Sequence, residues 1–164
     1  MTFEPLIDRW EGAWSGKDPE AFEAVCAPHV HYEDPTTTEP LEDIEALVAH
    51  AERLWTAFPD ARLDRTGERL GNERFFAAPC KLLGTHRAPL EGLPPTNRFL
   101  VVHCVVYAEV KDGLIFRARA FFDLYDAATQ LGVLPAHGTL GEKALLMLRG
   151  FGLRGPGRGI SGGR

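Results

Sequence analysis

The first sixty residues place hydrophobic and polar positions at the spacing of an α-helix. The pattern predicts a helix over residues 3–15, a short second helix after Asp18-Pro19, and a third helix over residues 44–58. In the third helix the apolar positions keep to one face over four turns, and Phe58-Pro59-Asp60 ends it. Between the second and third helices, residues 30–35 predict a brief strand that ends in a turn.

From Ala61 the pattern changes to the alternation that is typical of β-strands. Four strands are predicted at residues 61–70, 73–86, 98–110 and 114–123. Lys111-Asp112-Gly113 predicts a tight hairpin between the last two. Helices followed by a meander indicate an α+β domain, in which the helices pack on one face of a strongly curved, mostly antiparallel sheet. The other face could pair with a second copy, so we predict a homodimer.

Charge divides the chain into an acidic body and a basic end. The 164 residues carry a net charge of -5, but the last sixteen contain four arginines and no acid, which leaves about -9 on the rest. An acidic body disfavours nucleic-acid binding, because phosphate backbones require basic surface. We predict a main domain over residues 1–135, a helical extension over 136–149 and a Gly/Arg-rich tail over 150–164. A weaker hypothesis is that the tail contacts nucleic acid or another acidic surface.

Other features of the composition exclude several classes of function. The three cysteines are odd in number and lie in apolar segments, which favours reduced core thiols over disulfides. Spacings typical of metal ligands, phosphate loops and serine nucleophiles are not present in the sequence. Neither a membrane-spanning run nor a secretion signal is found. We expect a cytoplasmic protein that uses no metal and no cofactor.

Asp123 is the first candidate for chemistry. It lies among aromatic residues where the last strand meets a short helix, and a carboxyl group in apolar surroundings has a raised pKa. Asp123 is therefore a candidate general base. The alternative is that Asp123 only caps the helix that follows it.

Other residues are further candidates for the same site. Asp34 ends the first strand, either as a second carboxylate of the same cavity or as the start of an ordinary turn. His86 ends another strand and could assist by polarising a carbonyl group. The remaining candidates are expected to line an apolar pocket, although each could instead be core: Trp10, Trp14, Tyr32, Trp55, Phe58, His103, Arg119 and Phe121. His29, His31, His50 and His137 are expected at the surface or in turns.

Four segments resemble the SnoaL-like polyketide cyclases of the nuclear transport factor two-like superfamily. They are Phe58-Pro59-Asp60, the stretch from Gly84-Thr85-His86 to Pro94-Pro95-Thr96, Lys111-Asp112-Gly113-Leu114-Ile115, and Phe122-Asp123 to Leu131-Gly132. The resemblance covers about residues 3–135 and implies a cone of helices wrapped by a curved sheet. It also implies that Asp123 is the acid and base of an intramolecular aldol closure, with the loop beginning at His86 lining the pocket.

Two other branches of the superfamily resemble parts of the chain. Tyr32-Glu33-Asp34-Pro35 is similar to the strand end that carries the base of ketosteroid isomerases, but Trp10 replaces their oxyanion-donating tyrosine. Limonene epoxide hydrolases match at Asp123, but their Arg-x-Asp triplet is replaced here by Gly84-Thr85-His86. These departures place epoxide hydrolysis below cyclase and isomerase chemistry.

These observations together predict a cyclase or isomerase that removes a proton alpha to a carbonyl group of a hydrophobic small molecule. The catalytic candidates are Asp123, His86 and Asp34. The alternative is a non-catalytic module of the same fold that binds a ligand or dimerises.

Overall fold

The structure, a computed structural model, describes residues 3–148, and the predicted tail at 150–164 lies outside the described residues. The helices in this part of the chain are α1 (Glu4–Gly16), α2 (Pro19–Glu23), α3 (Ile44–Ala57), α4 (Leu124–Gln130) and α5 (Leu140–Leu148). The strands are β1 (Cys26–Glu33), β2 (Arg62–Arg65), β3 (Leu70–Gly71), β4 (Phe75–Thr85), β5 (Phe99–Lys111) and β6 (Leu114–Phe122).

The strands form one curved mixed sheet in the order β1-β6-β5-β4-β2, with β3 also paired to β4. Only β1 and β6 run parallel among the described strands, and the other pairs are antiparallel. The predicted β5–β6 hairpin turns at Asp112 and Gly113, whose φ angles are 53° and 78°. Positive φ at both positions is the geometry that tight hairpins use. The predicted α+β architecture is confirmed.

Helices α1, α2 and α3 pack against the inner face of this sheet. Trp10, Phe22 and Leu47 contribute to the main core, together with the inward side chains of β4, β5 and β6. A smaller apolar cluster around Phe58 and Leu131 joins the end of α3 to α4 and β5. The site described below lies where these two clusters meet.

The predicted strand at residues 61–70 is instead two short strands, β2 and β3. Between them the chain leaves the ladder, and the Arg69 guanidinium turns toward α1, where it contacts Glu4, Asp8 and Glu11. Strand periodicity depends on nearby residues, so it does not reveal that a helix far away in the sequence supplies three carboxylates to Arg69. The ion cluster therefore accounts for the interruption.

The outer face of the sheet is exposed in the single chain. Phe99, Val105 and Tyr107 alternate with the buried residues of β5, and Phe121 lies beside Val105 on β6. Within residues 3–148, no helix is both long enough and apolar enough to cross a membrane.

Candidate functional site

An apolar cavity of about 140 Å³ lies between the helices and the inner face of the sheet. Helix α1 contributes Trp10 and Trp14, and helix α3 contributes Trp55. The floor is formed by inward residues of β4, β5 and β6, including Cys104 and Phe122. Nearly all of the wall is hydrocarbon, so the cavity suits a hydrophobic molecule.

Aromatic rings form one side of the cavity. The ring centroid of Trp14 lies 5.8 Å from those of both Trp10 and Tyr32, and Trp10 and Tyr32 are 6.1 Å apart. The indole N–H of Trp55 donates to the Trp14 carbonyl oxygen at 2.9 Å, which ties α3 to α1. In contrast, the Trp10 indole N–H is buried and has no hydrogen-bond partner among the described residues. A buried donor without a partner is costly.

Asp34 is the carboxylate that lines this cavity. Its Oδ1 accepts from the Thr36 backbone N–H at 2.7 Å and from the Thr36 hydroxyl at 2.6 Å. Its Oδ2 accepts from the Tyr32 hydroxyl at 3.0 Å and from His50 Nε2 at 2.8 Å. The turn predicted at Asp34-Pro35 is therefore present, and the Asp34 carboxylate also reaches the cavity.

These contacts determine the ionisation of Asp34. Burial alone would raise its pKa, but hydrogen bonds from His50 and Thr36 outweigh that effect and hold the pKa below its ordinary value. The neighbouring Tyr32 has its pKa raised by burial and by the Asp34 charge. At neutral pH the site therefore pairs an ionised carboxylate with a protonated phenol.

The prediction that His50 lies at the surface or in a turn is wrong. The side chains of His50 and Asp34 are each only 3% exposed. His50 lies three residues after Leu47 and four before Leu54, on the inward face of α3. This spacing is the sequence signal that could have found it.

Arg53 lies next to the second ring nitrogen of His50. Its guanidinium is 3.1 Å from His50 Nδ1, and a guanidinium can only donate. This contact is a hydrogen bond when Nδ1 carries no proton, the tautomer in which Nε2–H faces Asp34. Arg53 also donates to Glu91 at 3.0 Å, so a chain of hydrogen bonds runs from the cavity to the surface loop after β4.

A second space of about 340 Å³, here called the vestibule, adjoins the cavity. The two share apolar residues, including Leu54, Leu90 and Leu131, while His50, Arg53 and Glu91 line only the vestibule. Leu90 belongs to the loop after His86, so part of this loop lines the cavity, as the resemblance implies. Cavity and vestibule together fall within the roughly 300–1,000 Å³ of small-molecule sites.

Asp123 is not in this cavity, and the expectation of apolar surroundings is wrong. The side chain is exposed and accepts from the Asp126 backbone N–H at 2.9 Å, which makes it the N-cap of α4. Its neighbours Phe122 and Leu124 line the cavity instead. The capping interpretation describes the position of Asp123, and its proposed role as the base stays a prediction.

His86 is fully buried but lies behind the cavity wall. Its ring stacks on Phe58 with centroids 5.2 Å apart, and its Nδ1 accepts from the Thr96 backbone N–H at 3.2 Å. Phe58 borders the cavity and His86 does not. An assisting role for His86 therefore lacks direct access to a ligand.

Three of the predicted pocket residues face the opposite side of the sheet. His103 and Phe121 are exposed on the outer face, and Arg119 there contacts Glu33 and the Phe121 ring. Alternate residues of a strand point to opposite faces, and the inward positions are those of Cys104, Ala120 and Phe122. The expectation that these three residues line the pocket is wrong, whereas Trp10, Trp14, Tyr32, Trp55 and Phe58 do line it.

The chain matches a known protein family over most of its length. A model of the SnoaL-like polyketide cyclase family matches residues 5–131. A comparison with curated proteins finds no match.

Solved structures with the same fold come from several bacteria. TsrD from Streptomyces laurentii is 21% identical, with 80% of this chain and 95% of TsrD covered and a TM-score of 0.71. IdmH from Streptomyces antibioticus, a candidate polyketide cyclase, is 23% identical, with 81% and 100% covered and a TM-score of 0.70. A protein with a ketosteroid isomerase-like fold from Catenulispora acidiphila is 16% identical, with 78% and 92% covered and a TM-score of 0.66. The predicted cone-shaped fold is confirmed, and at these identities the likeness concerns the fold alone.

Proposed function

Because the chain belongs to the SnoaL-like polyketide cyclase family, we propose that it is a cofactor-independent cyclase or isomerase acting alpha to a carbonyl group. The substrate is a hydrophobic small molecule with an aromatic or conjugated ring system, whose apolar part occupies the cavity. The observation that carries the proposal is the apolar cavity lined by both Asp34 and Trp10, whose buried indole N–H has no partner among the described residues. The family supports a cyclase-type role, and the proposed steps use only side chains of this chain.

Asp34 is the base in this proposal. It takes a proton from the carbon alpha to the carbonyl group, and the C–H electron pair becomes an enolate. The Trp10 N–H donates to the enolate oxygen, where negative charge develops. In a cyclase the enolate carbon attacks a second carbonyl, and Asp34 returns its proton to the resulting alkoxide. In an isomerase the proton returns to another carbon of the conjugated enolate.

Tyr32 explains how a carboxylate that already accepts four hydrogen bonds takes up a proton. A phenol both donates and accepts. When Asp34 is protonated on Oδ2, its new O–H donates to the Tyr32 oxygen and the phenol proton rotates away. The 3.0 Å contact is kept with its direction reversed, so the new carboxyl O–H has an acceptor, while the phenol O–H gives up Asp34 as its own acceptor.

The test is isotope exchange on a ketone that fits the cavity. In deuterium oxide, the wild-type protein should speed deuterium uptake alpha to the carbonyl of α-tetralone, or of a tricyclic aryl ketone, well above the buffer rate. Trp10→Phe keeps the ring but removes the donor, and we expect it to slow the accelerated exchange by about 10- to 100-fold. Nuclear magnetic resonance follows the loss of the α-proton signal.

Binding without exchange would favour the second candidate, a non-catalytic module that holds the same class of ligand. The saturation of Asp34 by four donors is the observation that favours this alternative. Saturation transfer from the protein to the ketone measures binding separately from turnover. A wild-type protein that binds the ketones but leaves their exchange at the buffer rate would contradict the enzyme.

We also propose that the outer face of the sheet binds a second copy of the chain. Val105 and Phe121 are cross-strand neighbours and Tyr107 follows Val105 on the same face, with Phe121 51% exposed, while Phe99 lies further along β5 on that face. Glu109 and Arg117, paired across β5 and β6, supply both signs of charge on the same face, as a self-complementary contact requires. Burial of these apolar side chains favours dimerisation.

Light scattering after size exclusion tests the dimer. The wild type should have twice the mass of one chain, and Phe121→Asp should shift it to the monomer because a charge is then buried at the contact. Leu140→Asp changes a more exposed leucine on α5 and should leave the dimer intact. A monomeric wild type, or a Phe121→Asp dimer of unchanged affinity, would exclude this face.

A further inference from the structure

We propose that His50 is a positioning residue for the base, and that Arg53 fixes the imidazole in the tautomer this task needs. The inference rests on the proposed function, in which Asp34 removes the proton. It assigns a role to two residues of α3 that do not line the apolar cavity themselves: His50 contacts the Asp34 carboxylate, which does line it, and Arg53 contacts His50.

The first argument is the position of the imidazole. His50 Nε2 lies 2.8 Å from Asp34 Oδ2, and both side chains are buried. This contact joins α3 to the end of β1, the two elements between which Asp34 is held. Without it, Oδ2 would keep only the Tyr32 hydroxyl, the same group that must rotate when the proton arrives. His50 is thus the donor that keeps the carboxylate in place during transfer.

The second argument is the direction of the hydrogen bonds. If the proton were on Nδ1, the Arg53 guanidinium would face an N–H at 3.1 Å, and the bare Nε2 would face the Asp34 carboxylate. Both contacts would be repulsive, and a doubly protonated ring would still face the guanidinium. The contact with Arg53 therefore favours the ring tautomer with its proton on Nε2, which donates to Asp34.

The third argument is the charge around the pair. The titratable and charged groups that face Asp34 and His50 are Tyr32 on β1, Cys104 on β5, Arg53 on α3 and, through Arg53, Glu91 of the loop. Tyr32 and Cys104 are neutral when protonated, and Glu91 offsets Arg53. Tyr32 and His50 are accordingly the two titratable side chains that donate to the carboxylate, and His50 is the nearer, at 2.8 Å against 3.0 Å.

Two substitutions at His50 separate a positioning role from simple packing. His50→Gln keeps one donor and one acceptor, whereas His50→Leu keeps bulk but offers neither. The carboxyl ¹³C signal of Asp34, assigned by its loss in Asp34→Asn, is titrated in each protein. In His50→Leu the midpoint should rise by about one to two pH units, since a charge-assisted hydrogen bond is lost. In His50→Gln it should stay near that of the wild type.

The tautomer is read separately from the ring nitrogens of His50. Long-range ¹⁵N spectra at neutral pH should show a protonated Nε2 and an unprotonated Nδ1. A signal typical of protonated Nδ1 would overturn the role of Arg53. An Asp34 midpoint that does not move in His50→Leu would overturn the role of His50.

The pH profile of α-proton exchange links this pair to the reaction. The rate should fall as pH drops through the pKa of Asp34, and the acidic limb should move upward in His50→Leu together with the carboxyl midpoint. A shifted midpoint with an unshifted limb would contradict positioning of the base. If Asp34→Asn retains full exchange, the proposed function fails, and the carboxyl titration still decides whether His50 controls Asp34.

Discussion

Asp34→Asn should lower the accelerated exchange of α-protons by about 10²- to 10⁴-fold, while Asp123→Asn should leave it unchanged. Asparagine keeps the shape of the Asp34 side chain but cannot take up a proton. At position 123, asparagine caps a helix as well as aspartate does, so α4 should stay intact. The two variants make the same chemical change at two positions, one in the cavity and one on the surface.

The comparison also decides between the ketosteroid isomerase resemblance, which places the base at Asp34, and the SnoaL-like resemblance, which places it at Asp123. Circular dichroism and thermal melting establish that each variant is folded before its rate is compared. Some loss of stability is expected in Asp34→Asn, because its amide N–H₂ would face the Nε2–H of His50. A normal rate in Asp34→Asn with a lost rate in Asp123→Asn would transfer the role of base to Asp123.

Much of the fold could be predicted because hydrophobic periodicity records which side of each element is buried. The apolar face over residues 44–58 became α3, and the alternation over residues 98–110 became β5, each within a residue or two at its ends. Local signals also held, as for the Asp18 cap, which accepts from the Glu20 N–H, and the Asp112-Gly113 turn. Such signals depend on neighbours within a few residues, so the sequence contains them directly.

The site was harder because it depends on contacts between distant segments. Asp34 and His50 are sixteen residues apart in the chain, and only the packing of α3 against β1 brings them to 2.8 Å. Asp123 illustrates the reverse, since aromatic neighbours in sequence did not bury it. Strand parity carries Phe122 inward, and the chain then turns into α4 with Asp123 outside. An aromatic sequence context indicates burial of a segment but does not determine which side chain faces the cavity.

The position of Arg69 also depends on contacts between segments that are distant in the sequence, and these contacts affect the stability of the fold. Its side chain is 4% exposed and contacts Glu4 at 2.7 Å, Asp8 at 2.6 Å and Glu11 at 2.6 Å. Burial would lower the pKa of Arg69, but hydrogen bonds to Asp8 and Glu4 raise it. Burial raises the pKa of Glu11 in spite of the arginine. The cluster therefore fastens α1, which carries Trp10 and Trp14, to the segment between β2 and β3.

Arg69→Met should lower the free energy of unfolding by about 2–3 kcal/mol, because it leaves the mostly buried Glu11 carboxylate beside the more exposed Glu4 and Asp8 without their shared cation. Urea unfolding at neutral pH measures this change. Arg65→Met is the matched control, since Arg65 is half exposed and lies 3.8 Å from the same Glu4, and it should cost no more than about 1 kcal/mol. Because the pKa of Glu11 is raised in the folded state, the loss in Arg69→Met should diminish as the pH falls and the stranded carboxylates take up protons. Equal effects of the two variants, or a loss in Arg69→Met that is the same at acidic and neutral pH, would show that the buried charge cluster does not hold α1 in place.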